Sequence, residues 1–209
     1  MRNGGKRVSD AVVKRLPRYL RVFRELKQRK IERISSDKIA DFMGVTASQV
    51  RQDFCSFGGF GQQGYGYDVD RMVEEMSQII GLNRKYRMII IGAGNIGRAL
   101  ANYKGFKDDG FEVAALFDAA TAAGEIGGVP LFGAEELENY LVTAREAIDI
   151  AVIAVPKEDA GEILSRLTRL GIRNFWNFAP VELKGEDGVI IENINMSDSL
   201  FVLTYMLNR

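Results

Sequence analysis

The chain has 209 residues, of which 46% are hydrophobic and 27% are charged, a composition typical of globular proteins and not of disordered or fibrous ones. One cysteine and no histidine exclude, within a single chain, an internal disulfide, a serine–histidine catalytic triad and a histidine-ligated metal, so we expect no metal site. The 28 basic and 28 acidic residues balance overall, but residues 1–34 carry 12 basic and 3 acidic side chains, which predicts that the N-terminal part faces a polyanion.

Three helices are predicted in the N-terminal part. Apolar residues recur every three or four positions across residues 10–30, which indicates a helix that starts or kinks at Pro17. A short helix at residues 38–43, with Phe42 facing inward, leads through a glycine turn to another helix at residues 47–55. This order is typical of a helix-turn-helix, whose second helix enters the major groove of DNA.

Polar side chains cluster on and beside this second helix. Serine and glutamine hydrogen-bond to base edges, and arginine reads guanine or holds phosphate. Residues 57–67 contain five glycines and four aromatic residues, which predicts a short twisted hairpin, a wing. The candidate DNA-binding residues are Ser36, Thr46, Ser48, Gln49, Arg51, Gln52, Gln62 and Gln63. The alternative left open is a small helical domain with a glycine-rich surface loop, whose arginines only solvate a helix face.

The remainder of the chain alternates strands and helices. Strands are predicted at residues 87–91, 112–117, 129–132, 148–155, 174–177 and 189–192, and helices at residues 68–80, 134–143 and 157–170. Such alternation favours an α/β fold with a parallel sheet and right-handed crossovers.

A glycine-rich turn follows the strand at residues 87–91 and opens a helix. It reads Gly92-Ala93-Gly94-Asn95-Ile96-Gly97. In this context Gly92 allows a tight turn, Gly94 lets a pyrophosphate approach backbone N–H groups, and Gly97 lets the helix pack closely. Asp118 ends the next strand, 21 residues beyond the third glycine, where a carboxylate accepts hydrogen bonds from the ribose hydroxyls and repels a 2′-phosphate. The pattern therefore predicts NAD rather than NADP.

The carboxyl ends of the other parallel strands are the expected remainder of the cofactor site. The candidates there are Val155, Pro156, Phe178, Ala179 and Pro180.

Residues 197–207 predict a largely apolar helix after the last strand. We expect it to need a partner surface, supplied by a second copy of the chain, and the alternative is that it folds back on its own sheet. The predicted domains are residues 1–82, residues 83–195 and a C-terminal helix at residues 196–209. No apolar run reaches the roughly 20 residues of a membrane span, and no signal peptide is recognisable, so we expect a cytoplasmic protein without a membrane partner.

Along nearly its full length the chain resembles the bacterial redox-sensing transcriptional repressor family Rex. The matching stretches are Ser35-Ser36, residues 45–53, Phe57-Gly58 with Phe60-Gly61, residues 64–67, 92–97, 153–156 and 177–180, and Glu192-Asn193. The resemblance implies an N-terminal winged-helix DNA-binding domain, a Rossmann NAD(H)-binding domain and a domain-swapped C-terminal helix. It implies a non-enzymatic homodimer that binds double-stranded operator DNA and releases it when NADH replaces NAD. It also implies that Tyr103 lies in the nicotinamide pocket, and with it we place Met196 of the partner subunit.

The chain departs from the family pattern at several positions. Gln52 stands where the family usually has lysine, and Gln62-Gln63 stands where its wing usually has Lys-Arg. Fewer cations weaken phosphate contacts and reduce their salt dependence. Asn195 replaces an aspartate that, in some members, pairs with an arginine of the kind at Arg21. Two alternatives therefore stay open: an NAD-dependent oxidoreductase, working without histidine, and an NAD(H)-binding paralogue with weakened DNA binding.

Overall fold

The computed structural model describes residues 8–58, 65–120 and 122–209. The chain divides into two compact units, residues 1–84 and residues 85–209. The domain boundaries given above stay a prediction, because a division by contacts does not test whether each part folds alone. Among the described residues, no helix has the length and apolar character that crossing a membrane requires.

The first unit packs its helices around one apolar core. Its described elements are α1 (Asp10–Gln28), β1 (Arg33–Ile34), α2 (Ser36–Met43), α3 (Ala47–Ser56), β2 (Tyr67–Asp68) and α4 (Val69–Ile80). The core includes the buried side chains of Tyr19, Phe23 and Phe54, with the Phe54 ring edge-on to Tyr19 at 4.9 Å between centroids. The predicted helix-turn-helix is confirmed, with α3 as its second helix.

α1 does not start at Pro17, because buried residues on both sides of the proline, Val12 and Leu20 among them, hold the helix against the core. A kink at Pro17 stays a prediction. The prediction that Phe42 faces inward is wrong. Phe42 is 47% exposed and Met43 is buried in its place. The helical repeat explains this, since Met43 lies between the buried Ile39 and Ala40 around the helix axis, whereas Phe42 lies at the edge of that face.

The second unit contains a seven-stranded sheet in the order β5-β6-β4-β3-β7-β8-β9. Its strands are β3 (Tyr86–Ile91), β4 (Phe111–Asp118), β5 (Gly124–Ile126), β6 (Val129–Gly133), β7 (Ile150–Ile153), β8 (Asn174–Asn177) and β9 (Ile190–Asn193). Its α-helices are α5 (Asn95–Ala101), α6 (Gly105–Asp108), α7 (Leu137–Thr143), α8 (Lys157–Arg169) and α9 (Met196–Leu207). All pairs are parallel except β5 with β6, which confirms the predicted α/β class. β5 and α6 were not predicted.

The strand order reverses at the centre of this sheet. From β3 the chain adds β4 and β6 on one side, then crosses to β7, β8 and β9 on the other. Parallel sheets of this type bind ligands in the crevice outside the carboxyl ends at such a reversal. Here the crevice lies between the ends of β3 and β7, whose last residues, Ile91 and Ile153, are register partners.

Helix α9 leaves the sheet and carries a continuous apolar surface. Every residue of the helix is exposed. Its large exposed apolar side chains are Met196, Leu200, Phe201, Val202, Leu203, Tyr205, Met206 and Leu207. The helix therefore does not fold back on its own sheet, which was one of the two alternatives.

Candidate nucleic-acid and cofactor sites

A side-chain cap starts each helix of the helix-turn-helix. Ser35 Oγ accepts a hydrogen bond from the Lys38 N–H at 3.3 Å, and Thr46 Oγ1 accepts one from the Gln49 N–H at 3.1 Å. Between the helices, Gly44 has a φ of +65°, in the left-handed region that favours glycine. These caps fix where α3 begins and therefore which of its side chains are exposed.

The polar surface expected to face DNA is partly assembled. Ser48, Arg51 and Gln52 on α3 are exposed. The Arg51 guanidinium donates a hydrogen bond to Ser36 Oγ at 2.8 Å, which joins predicted residues from two helices. Contact of these side chains, and of the exposed Thr46, with DNA stays a prediction.

The side chain of Gln49 bonds within the protein, because its Nε2 donates to Asp53 Oδ1 at 2.7 Å. Asp53 is fully buried and also accepts two hydrogen bonds from Arg15, each 2.7 Å, and one from Tyr19 Oη at 2.9 Å. Burial alone would raise the pKa of Asp53, but these hydrogen bonds and the Arg15 charge lower it below its usual value. This network, absent from the sequence predictions, ties α3 to α1.

The predicted wing falls mostly outside the described residues, and Gln62 and Gln63 lie there. Among the described residues from 65 onwards, β2 pairs antiparallel with β1, with Tyr67 opposite Ile34. Gly66 has a φ of +71°, and a Cβ added there would lie 2.7 Å from the carbonyl oxygen of Ile34. The end of the predicted wing is therefore held against the residues that precede α2.

The three glycines of the cofactor turn have different surroundings. A Cβ on Gly92, whose φ is +103°, would lie 2.4 Å from the carbonyl oxygen of Ala154, and one on Gly97 would lie 1.9 Å from that of Gly92. A Cβ on Gly94 would meet no atom within 4 Å. Packing within the protein therefore requires the first and third glycines, whereas the second borders open space. Such space is what a diphosphate needs to approach backbone N–H groups at the start of α5.

Charged side chains hold both polar backbone groups of Ala93 in this turn. Its N–H donates to Asp118 Oδ2 at 2.7 Å, and its carbonyl oxygen accepts from Arg98 Nε at 2.7 Å. Asp118 Oδ1 also accepts from the Ala120 N–H at 2.9 Å. The Asp118 carboxylate therefore lies directly beside the glycine turn, where the ribose of a bound dinucleotide is expected. Sequence reasoning found Asp118 but missed Arg98, whose spacing carries no signal of its own.

The strand ends bring the other predicted cofactor residues to the same edge. Ala154 packs against Gly92 and precedes Val155 and Pro156, and the Phe178 N–H donates to the Ile153 carbonyl at 2.8 Å. Asn95 and Ile96 form the first turn of α5. The candidate cofactor residues that follow β3, β4, β7 and β8 therefore lie at one edge of the sheet.

An aromatic row joins the predicted nicotinamide tyrosine to the loop after β8. Tyr103 is 58% exposed and lies edge-on to Phe106, 4.8 Å between centroids. Phe106 contacts Trp176 at 5.9 Å, and Trp176 contacts Phe178 at 4.6 Å. A Cβ on Gly105 would lie 2.8 Å from the Tyr103 ring, so this glycine leaves room for the ring.

At the start of α9, Asn195 accepts a hydrogen bond from the Ser197 N–H at 3.1 Å and so caps the helix. Met196, expected to act from a partner subunit, is the first residue of the helix and is exposed. Its role at the cofactor stays a prediction.

Two family profiles match the chain. One, described as a putative DNA-binding protein N-terminus, matches residues 7–55, and the other, described as a CoA binding domain, matches residues 83–181. The first profile ends within α3, and the second extends from the residues before β3 to the loop after β8.

Curated proteins of similar sequence extend over nearly the whole chain. The redox-sensing transcriptional repressor Rex of Clostridioides difficile (strain 630) is 46% identical over 208 residues, which are 99% of this chain and 98% of the relative. The repressor Rex of Thermoanaerobacter pseudethanolicus (strain ATCC 33223 / 39E) is 47% identical over 205 residues, 97% of this chain and 91% of the relative. The chain belongs to the Rex family.

Solved structures of a Rex-family repressor, RSP, agree with this assignment. One has a TM-score of 0.89 and 43% identity, covering 98% of this chain and 95% of RSP. RSP in complex with β-NAD+ and operator DNA has a TM-score of 0.89 and 45% identity, and the match covers 98% of this chain and 94% of RSP. RSP in complex with β-NADH has a TM-score of 0.88 and 42% identity, covering 98% and 96%. The resemblance seen in the sequence motifs, and the fold that it implied, are therefore confirmed.

Proposed function

We propose that this Rex-family chain is a redox-sensing transcriptional repressor. Its helix-turn-helix unit binds operator DNA as a homodimer in the cytoplasm, its Rossmann unit binds NAD+ or NADH, and NADH releases the DNA. The observation that carries this proposal is a 45% identical relative described in complex with both NAD+ and operator DNA, and described separately with NADH. On this proposal the cofactor acts as a signal, and the protein is not an enzyme.

The environment of Asp118 supports NAD(H) as the nucleotide. CoA carries a phosphate on the 3′-hydroxyl of its ribose, and NADP carries one on the 2′-hydroxyl. Either phosphate would meet the Asp118 carboxylate, and two like charges repel. NAD(H) leaves both hydroxyls free to donate hydrogen bonds. We therefore expect NAD(H) to bind in preference to CoA, although the matching profile is described as a CoA binding domain.

The redox signal is a difference in ring charge. The oxidised nicotinamide is a cation and the reduced one is neutral, so an apolar pocket at the aromatic row favours the reduced ring. Tyr103 and Met196 of the partner subunit would border that pocket. If NADH binds the DNA-releasing state roughly 10⁴-fold better than the DNA-binding state, it shifts the dimer from almost entirely the DNA-binding state to almost entirely the DNA-releasing state.

A binding assay tests the proposal directly. An operator is selected from random duplex DNA in the presence of NAD+, and its affinity is then measured by fluorescence polarisation at fixed total cofactor and varying NADH:NAD+. We expect the affinity to fall as the NADH share rises. Equal affinity at every ratio, or no selected operator, would contradict the proposal.

The oxidoreductase alternative has one sequence feature in its favour. Tyr103 and Lys107 stand four residues apart, the Tyr-x-x-x-Lys spacing of a proton relay in some NAD-dependent reductases. In the structure Tyr103 lies in the turn before α6 and Lys107 lies within α6, so the two do not share one helix. NADH oxidation by small carbonyl compounds, abolished in Tyr103→Phe, would support this alternative, and no turnover would reject it.

The exposed Gln52 bears on the paralogue with weakened DNA binding. Gln52→Lys adds one cation to the recognition helix of each subunit, and therefore two to a dimer. Because the salt slope changes by about 0.9 for each phosphate contact, we expect the slope of log K against log salt to steepen by about 1.8. Arg51→Gln is the reciprocal control and is expected to make the slope shallower. If the salt slope is unchanged in both variants, α3 does not contact the DNA backbone.

A further inference from the structure

The loop after β8 is held by a pair of asparagine side chains. Asn177 Nδ2 donates to the Val181 carbonyl at 2.7 Å, and its Oδ1 accepts from the Ala179 N–H at 3.0 Å. Asn193 Oδ1 accepts from the Leu183 N–H, and its Nδ2 donates to the Leu183 carbonyl, both at 3.0 Å. The two amides therefore fix the backbone of residues 179–183 at several points.

The two side chains also bind each other. Asn177 Nδ2 donates to Asn193 Oδ1 at 2.8 Å, and the two residues are register partners at the ends of β8 and β9. Asn177 is fully buried. The backbone N–H groups of Ala179 and Leu183 each require an oxygen, so the orientation of both amides is determined. A buried network in which each member is satisfied is rigid, and losing one donor leaves a buried acceptor unpaired.

This network continues into the start of α9. Directly after Asn193, the Ile194 N–H donates to the Asn177 carbonyl at 2.8 Å. The next residue, Asn195, caps α9, and Met196 begins the helix. One hydrogen-bonded unit therefore extends from the candidate cofactor loop to the first turn of α9.

The same loop reaches the candidate nicotinamide pocket. Phe178 begins the loop, and its ring is the last member of the aromatic row that starts at Tyr103. A ring bound against this row would displace or stabilise Phe178. The following residues are held by the two amides, so hydrogen bonds join this loop to β9 and to the residues that precede α9.

We propose that Asn177 and Asn193 are positioning residues that couple the cofactor loop to helix α9, and so transmit nicotinamide redox state to the subunit that α9 contacts. This inference rests on the proposed function, because it needs a cofactor that changes operator affinity and a dimer formed through α9. The two asparagines would therefore affect how strongly the cofactor changes operator affinity, and not only how tightly the cofactor binds.

Substituting aspartate for asparagine tests the pair with almost no change in shape. In Asn193→Asp an oxygen replaces the Nδ2 group and faces the Leu183 carbonyl, and in Asn177→Asp one faces the Val181 carbonyl. Asn174→Asp is the matched control, because Asn174 lies at the other end of β8 and its side chain donates to the Asp149 carbonyl at 2.9 Å, away from the loop. All variants are made in the full chain, and cofactor binding is first measured by calorimetry.

The decisive measurement is the ratio of operator affinity with NAD+ to that with NADH, each cofactor at saturation. Saturation removes any effect that acts only through weaker cofactor binding. We expect Asn193→Asp and Asn177→Asp to lower this ratio on the order of tenfold, within the usual range of coupling between sites, and Asn174→Asp to leave it unchanged. A native ratio in both pair variants, or an equal loss in the control, would overturn the inference. A ratio of one in the native protein would instead reject the proposed function.

Hydrogen exchange keeps the inference testable if the aspartate variants do not fold. In the native protein we expect NADH to change the protection of the Ala179 and Leu183 amides and of the amides of residues 197–200 together. Changes confined to the loop, with α9 unaffected, would show that the amide pair does not transmit the signal.

Discussion

On the proposed function, Asp118 is the side chain that we expect to set the nucleotide preference most directly. Asp118→Asn keeps the shape and one acceptor oxygen but removes the charge that holds the Ala93 N–H and repels a ribose phosphate. Hydrogen bonds to charged groups contribute about 1.5–3 kcal/mol, so we expect NAD+ to bind roughly 10- to 100-fold more weakly. The penalty against NADP is expected to shrink at the same time. Calorimetry with both nucleotides measures the two effects.

Asp108→Asn is the control for this prediction, since Asp108 is an exposed residue that ends α6, outside the cofactor turn. It loses the same charge from the same unit without touching the glycine turn. Equal weakening in both variants would mean that Asp118 acts only through the net charge of the unit.

The buried Asp53 gives the first unit a distinct response to acid. The pKa of Asp53 in the folded chain lies below that of an unfolded aspartate, about 3.9, because Arg15, Gln49 and Tyr19 hydrogen-bond to the carboxylate. Its contribution is therefore present above pH 4 and is lost as the pH falls through the folded pKa. Asp53→Asn is expected to cost about 3 kcal/mol at pH 7, as for a broken buried ion pair, and much less at low pH.

Two signals separate the units in a urea titration of the full chain. Trp176 is the single tryptophan and belongs to the second unit, so its fluorescence follows that unit, whereas circular dichroism follows both. Asp70→Asn is the control, because the Lys27–Asp70 pair is exposed and is expected to contribute little. Equal losses of unfolding free energy in the two variants, or a loss in Asp53→Asn that persists at low pH, would contradict the stabilising role assigned to the Asp53 carboxylate.

Single residues show where sequence reasoning stopped. The glycine turn and Asp118 are predictable because their spacing follows from the shape of a dinucleotide and lies within one strand–helix–strand segment. Gln49 is predicted to contact DNA, which stays a prediction, and the sequence did not indicate that its amide also bonds to Asp53. The position of the Asp53 carboxylate depends on Arg15 and Tyr19, which lie 38 and 34 residues from Asp53 in the chain and contact it only in the folded protein.

Among the helices, α9 has the clearest consequence for assembly. Its apolar side chains are exposed in the single chain, so a charge placed there does not disturb the sheet of its own subunit. We expect Leu203→Asp to convert a dimer to monomers while the thermal unfolding followed by Trp176 changes little. Sedimentation velocity measures the first effect, and fluorescence the second.

Val142→Asp provides the comparison for that variant. Val142 is an apolar residue of α7 that is 81% exposed, and the same substitution there is expected to leave the dimer intact. Dissociation in both variants would indicate a general effect of added charge, and a dimer in Leu203→Asp would place the interface elsewhere.

Long periodic elements were predicted better than short ones. The strands β3 and β4 are continuous apolar runs that are buried on both faces of the sheet, and the helices α4 and α8 each bury one face over two or more turns. β5 and α6 have three and four residues, too few for a repeat to be visible. Pro17 predicted a start or a kink of α1, and the helix begins before it, at Asp10, since buried residues continue on both sides of the proline.

On the proposed function, operator and cofactor bind different units of one chain, so their effects on each other must be reciprocal. If NADH weakens operator binding by a given factor, operator must weaken NADH binding by the same factor. This holds whatever the arrangement of the units, because it follows from the closed thermodynamic cycle. It therefore tests the proposed function without depending on any single contact.

We expect the Kd of NADH to rise on addition of saturating operator by the same factor, within error, by which NADH raises the Kd of the operator. Energy transfer from Trp176 to the reduced nicotinamide offers a signal for NADH binding, because the tryptophan contacts Phe178 at the candidate pocket. A scrambled duplex of equal length controls for nonspecific DNA, which is expected to leave the Kd of NADH nearly unchanged. If operator leaves NADH binding unaltered while NADH releases operator, the release is not an equilibrium effect of NADH binding to the protein, which would contradict the proposed function.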